Sequence, residues 1–177
     1  VRKLCEVTLR NKSKDLQISC WYVESLTQLY ALEGLHCGLE YLAKFISQYW
    51  TICWPSHEEG PEIRYSKLVR LDMDLSEYLK SSPLLDDKEI TLAEWYKALA
   101  FEHGASLSEE GKEKLIESEG DHSVEAFKKS VGKYNTRKIS EQFIKFSDLP
   151  DKIDEIESFY FFHTHEDIHH IFAKTRH

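Results

Sequence analysis

The sequence predicts an all-α protein, a multi-helix bundle centred on an antiparallel helical hairpin. Three observations carry that prediction. Only 7 glycines and 4 prolines occur in 177 residues, so turns are few and elements are long. Apolar side chains recur at steps of three and four, with no sustained alternation of the kind a strand shows. Gly34 and Gly38 stand between two long apolar patterns, with a link too short for anything but a helix reversal.

Residues 1–11 read as a short amphipathic helix with Leu4, Val7 and Thr8 on one side. Ser13 is the expected N-cap of the next helix, and Asp15 lies in its first turn, where the helix dipole favours an acid. Leu16, Cys20, Val23, Thr27 and Tyr30 follow one face of that helix. Ile18, Tyr22, Ser25, Leu29 and Leu32 follow another, and a helix apolar on two faces packs centrally. Gln17, Glu24 and Gln28 interrupt the run, which makes it a buried helix and not a membrane span. Gly34 is expected to end it in the left-handed conformation. A second helix runs through Leu35, Leu39, Leu42, Ile46, Tyr49, Trp50 and Cys53, and Gly38 lets the neighbouring helix approach closely.

Trp54-Pro55 stops the hairpin, and SHEEGPE at 56–62 is a polar loop. Pro61 opens a third helix with Leu68, Leu71, Leu75 and Leu79 on one stripe. KSSPLLDDKEI at 80–90 is the clearest boundary. After it Thr91 caps a helix carrying Leu92, Trp95, Tyr96 and Leu99, with Glu94 completing a capping box. Helical patterns recur at 106–118, 122–134 and 136–147, and a final one at 149–174 carries Leu149, Ile153, Ile156 and Tyr160.

The formal charge is −8, from 31 acidic and 23 basic side chains. Such a chain is a poor binder of phosphate backbones, and acids surround the cluster Lys128, Lys129 and Lys133; no nucleic-acid partner is expected. Cys5, Cys20, Cys37 and Cys53 lie apart without a C-x-x-C pair, the pattern of free thiols in a reducing compartment. With no signal peptide and no apolar run of about 20 residues, the expectation is a cytoplasmic chain that inserts in no membrane. The chain opens on Val1 instead of methionine, as a fragment of a longer protein would.

The chemical motif that stands out is HEDIH in the tail FFHTHEDIHHIF. His165 and His169 at helical spacing, with Glu166 between them, match the short metalloprotease pattern, in which two imidazoles share a zinc ion. A zincin also needs a third ligand, a strand and a cleft, and only His177 remains downstream. The favoured reading is therefore a solvated His-rich helix end. The acid pairs Glu58-Glu59, Asp86-Asp87 and Glu109-Glu110 fall in loops or helix starts, and no nucleophile elbow or Gly-rich phosphate loop occurs. The expectation is a protein that is not an enzyme and takes no cofactor or metal.

Residues 13–55, SKDLQISCWYVESLTQLYALEGLHCGLEYLAKFISQYWTICWP, resemble the ImpA-type N-terminal domain of the TssA-like proteins of bacterial type VI secretion systems. The positions that carry the resemblance are Ser13, Lys14, Asp15, Leu16, Trp21, Glu24, Leu26, Gly34, Gly38, Leu39, Tyr49, Trp50 and Pro55, followed by Glu62, Arg64 and Leu68. It is specific over residues 11–71 and thinner beyond about 100. It implies a helical core at 1–82 with a helical extension at 83–177 packed on it as one domain. It also implies a non-enzymatic scaffold in baseplate and tail assembly, with other secretion components as partners and a homo-oligomer allowed. Ser13, Asp15, Trp21, Glu24, Gly34, Gly38, Trp50, Pro55 and Arg64 are then structural motif residues, with Arg64 free to pair with Asp15, with Glu24 or with a partner.

Overall fold

The expected hairpin is one 34-residue element, α2 (Leu16–Tyr49), folded back on itself at Ala31, whose φ of 49° and ψ of −130° are not helical. Paired contacts mark the fold-back. A side chain at Gly34 would meet the backbone of Leu26, and one at Gly38 would meet Val23. Further from the turn, the Ser19 and Tyr41 hydroxyls lie 3.0 Å apart and the Tyr22 and Tyr41 rings pack edge to face at 5.0 Å. The reversal expected at Gly34 thus falls earlier, at an alanine. The reason is steric: a Cβ on Gly34 would stand 1.9 Å from the Leu26 carbonyl oxygen, so this glycine serves close approach and not the turn.

The computed structural model describes residues 1–56, 61–85, 89–105, 113–114, 116–117, 120–165 and 170–176. Besides α2 they form α1 (Arg2–Asn11), α3 (Pro61–Ser81), α4 (Leu92–Ala105), α5 (Val124–Val131), α6 (Thr136–Thr164) and α7 (Ala173–Arg176), with no strand among the described residues. The chain divides into two compact units, residues 1–79 with 144–177, and residues 80–143.

In the first unit, Leu16, Leu35, Leu39, Leu42, Leu68, Leu71 and Leu75 are fully buried, each contributing about 1.5–3 kcal/mol relative to exposure. The leucine stripe of α3 lies where its periodicity places it. On α1 the expected side does not: Cys5 and Leu9 are buried while Leu4 and Val7 are exposed. A helix this short carries apolar residues on two faces, and spacing alone does not choose between them.

The C-terminal segment differs most from expectation. The helices expected at 136–147 and 149–174 are one helix, α6, which continues through Pro150 and ends at Thr164. His165 closes it with φ 56° and donates its N–H to Phe161 O. Beyond, Ile171 and Phe172 are buried, and α7 docks on Asp72 of α3, whose carboxylate accepts from the N–H of Lys174 at 3.0 Å and of Thr175 at 2.7 Å. That buried acid satisfies amides at a helix start which would otherwise lack acceptors.

In the second unit, Leu84 N donates to Ile90 O, and Pro83 bridges Thr91 just before α4. Thr91 caps α4 as expected, its hydroxyl accepting from Glu94 N at 3.1 Å. Ser123 caps α5 in the same way, and Trp95 of α4 packs on Phe127 of α5. Most of the helix expected at 106–118 lies outside the described residues.

Candidate docking surface

Asp15, Trp50, Pro55 and Arg64, with Ser13 just before them, meet at the open end of the hairpin. Ser13 is not the N-cap. Its backbone N–H donates to Thr8 O at the end of α1, while Asp15, extended at φ −112°, caps α2 by accepting from Ile18 N at 3.1 Å. Asp15 pairs with Trp54 across the base: Trp54 N donates to Lys14 O and Leu16 N to Trp54 O, both at 2.8 Å. This two-rung backbone ladder ties the start of the hairpin to its end. Lys14 continues the closure, donating through Nζ to Leu9 O and lying 5.2 Å above the Tyr49 ring.

Arg64 of α3 locks the other side of that turn. It is fully buried, and its guanidinium donates to three carbonyl oxygens: Nε to Pro55 at 2.8 Å, Nη1 to Trp50 at 2.6 Å and Nη2 to Cys53 at 2.8 Å. It also stacks over the Trp50 ring at 4.7 Å. Carbonyls at a helix C-terminus have no intrahelical donor and carry the negative end of the dipole, so a buried cation fits there. Neither Asp15 nor Glu24 pairs with Arg64. Glu24 sits half-buried elsewhere on α2, its carboxyl pushed above the usual range by burial and then by Asp74. Pro55 and Trp50 are buried in this assembly, whereas Trp21 stands 48% exposed on the outer face of α2.

Of the expected metal candidates, His165 alone lies among the described residues. α6 ends before His165, and Glu166 and His169 lie outside the described residues. No cluster of three potential ligands occurs among the described residues. Of the four free cysteines, Cys5, Cys20 and Cys53 are buried, and burial raises each thiol, keeping it protonated at neutral pH; Cys37 is exposed.

Large apolar and aromatic side chains also remain outside. A groove of about 380 Å³ between α1 and the hairpin exposes parts of Tyr22, Tyr41 and Tyr49 beside Arg10, Lys14 and Lys44. Trp21, Leu29, Tyr30, Ile52, Trp54 and Phe162 are each about half or more exposed.

Residues 1–73 match the family model described as ImpA, N-terminal, type VI secretion system. The resemblance read from the sequence is to this family. The ImpA-type region ends within α3, so residues 144–177, which complete the first unit, lie beyond it. The chain also shares its fold with the N-terminal domain, including the conserved ImpA_N region, of the TssA component of the type VI secretion system from Burkholderia cenocepacia. That match has a TM-score of 0.76 at 19% identity, covers 92% of this chain, and spans 66% of the length of the other. No curated protein sequence matches the chain. No helix among the described residues is long and apolar enough to cross a membrane.

Proposed function

We propose that this chain is a non-enzymatic docking domain of a bacterial type VI secretion system, acting in the cytoplasm in assembly of the baseplate and tail. The observation that carries the reading is the division of labour in the ImpA-type region. Arg64, Gly34, Gly38, Asp15 and Pro55 hold the hairpin closed from within, while large apolar side chains of the same region face outward. Motif residues that build a rigid support leave recognition to the surface around them. Partners are other components of the same system: baseplate, sheath or membrane-complex proteins, with a second copy of the chain also compatible with the surface.

Cross-linking of the native chain to the baseplate and sheath proteins of its own system tests this. Cross-links are expected from residues near Trp21, Tyr30 and the α1 groove. A folded chain that captures none of these proteins under native conditions contradicts the proposal.

A further inference from the structure

Beside Arg64 is an opening of about 210 Å³ lined by Trp50, Thr51, Arg64 and His163. Its walls offer donors and positive charge. The indole N–H of Trp50, a residue 3% exposed, is buried and has no acceptor among the described residues. Arg64 has five N–H groups and directs three to carbonyls. No carboxylate pairs with it among the described residues, although the chain is acidic overall. Thr51 adds a hydroxyl. The His163 imidazole, stacked 6.3 Å from the Trp50 ring, is held below its usual pKa by burial and then by Arg64, so at neutral pH it is an uncharged wall.

An unpaired buried donor and a buried cation without a counter-charge are both unfavourable, and an anion with two acceptor oxygens relieves both. The opening is small beside the roughly 300–1,000 Å³ of sites that enclose a whole small molecule, so it suits a terminal group. Two exposed apolar side chains adjoin its lining residues: Ile52, next to Thr51 in the chain, is 73% exposed, and Phe162, 70% exposed, packs edge-on against His163 at 5.3 Å. We propose that this opening receives a carboxylate carried by a partner polypeptide, with the Trp50 indole N–H and the Arg64 guanidinium as donors and Ile52 and Phe162 against the chain that bears it. The identity of the occupant as a polypeptide rests on the docking function above.

The test is NMR of the tryptophan indole N–H groups in the 177-residue chain, with the Trp50 signal assigned by its loss in Trp50→Phe. Sodium acetate is titrated against sodium chloride at matched ionic strength. Two short peptides follow: one ends in leucine with a free carboxylate, and the other is amidated and carries a single internal glutamate. The Trp50 signal is expected to move saturably with acetate and not with chloride, and with at least one peptide. The peptide that responds distinguishes a chain-terminal from a side-chain carboxylate. In Trp50→Phe, followed through the His163 ring signals, acetate affinity should fall about tenfold, as loss of one hydrogen bond to a charged group implies.

Four results would overturn the proposal. They are no saturable shift with acetate, an unchanged affinity in Trp50→Phe, acetate binding with neither peptide bound, and a response confined to the Glu58→Gln/Glu59→Gln double variant. The last would make the chain's own 56–62 loop the occupant. Because the titrations need no secretion protein, their failure is distinct from a failure of the cross-linking.

Discussion

Arg64 puts a full positive charge in the interior with carbonyl oxygens as its hydrogen-bond acceptors. Desolvating such an ion costs several kcal/mol, and three bonds from a charged donor, at about 1.5–3 kcal/mol each, offset that cost. Its contribution is therefore geometric more than energetic, because the planar fork fixes Trp50, Cys53 and Pro55 relative to α3. Lysine keeps the charge but not the fork. Arg64→Lys is expected to lower the unfolding free energy by about 3 kcal/mol, read by urea titration, because two of the three carbonyls lose their donor. A change under about 0.5 kcal/mol, the scale of an ordinary surface substitution, would show that the carbonyls find other donors.

At the scale of the element, α2 turns on Ala31, a residue with a Cβ in a backbone region that favours glycine. Strain of this kind costs about 1–3 kcal/mol. Ala31→Gly should therefore stabilise the chain by about 1 kcal/mol after the added freedom of the unfolded chain is counted, read as a rise in the urea midpoint at constant slope. A fall in the midpoint would place the turn elsewhere. The same helix shows what was legible in the sequence. Its two apolar patterns, the aspartate near its start and the glycine pair predicted a hairpin, because periodicity and close approach are local signals. The turn itself was not legible, since Gly34 is the residue that sequence rules assign to a helix end, and here it faces Leu26 instead. Arg64 as a clamp and Asp72 as a cap for α7 were equally hidden: the first acts on backbone carbonyls, which leave no mark in a sequence, and the second lies about a hundred residues from its partners. The end of α6 at His165 carries no glycine or proline to announce it.

For the whole molecule, the central claim is that the hairpin is an interior support, held closed by backbone-to-backbone contact at Gly34, whose outside meets partners. The fold likeness and the match over residues 1–73 agree with that support, and the C-terminal segment completes the unit through Asp72, Asp154 and Glu157. The most direct measurement is equilibrium unfolding of Gly34→Ala beside Gly104→Ala. The second is a glycine in α4 whose added methyl would meet nothing within 4 Å. Gly104→Ala should be neutral or stabilising by up to about 1 kcal/mol, whereas Gly34→Ala should destabilise by about 3 kcal/mol or more, since the clash is with backbone that cannot rotate away. Gly34→Ala as stable as the parent chain would mean that the two halves of α2 do not touch there, and the account would be contradicted.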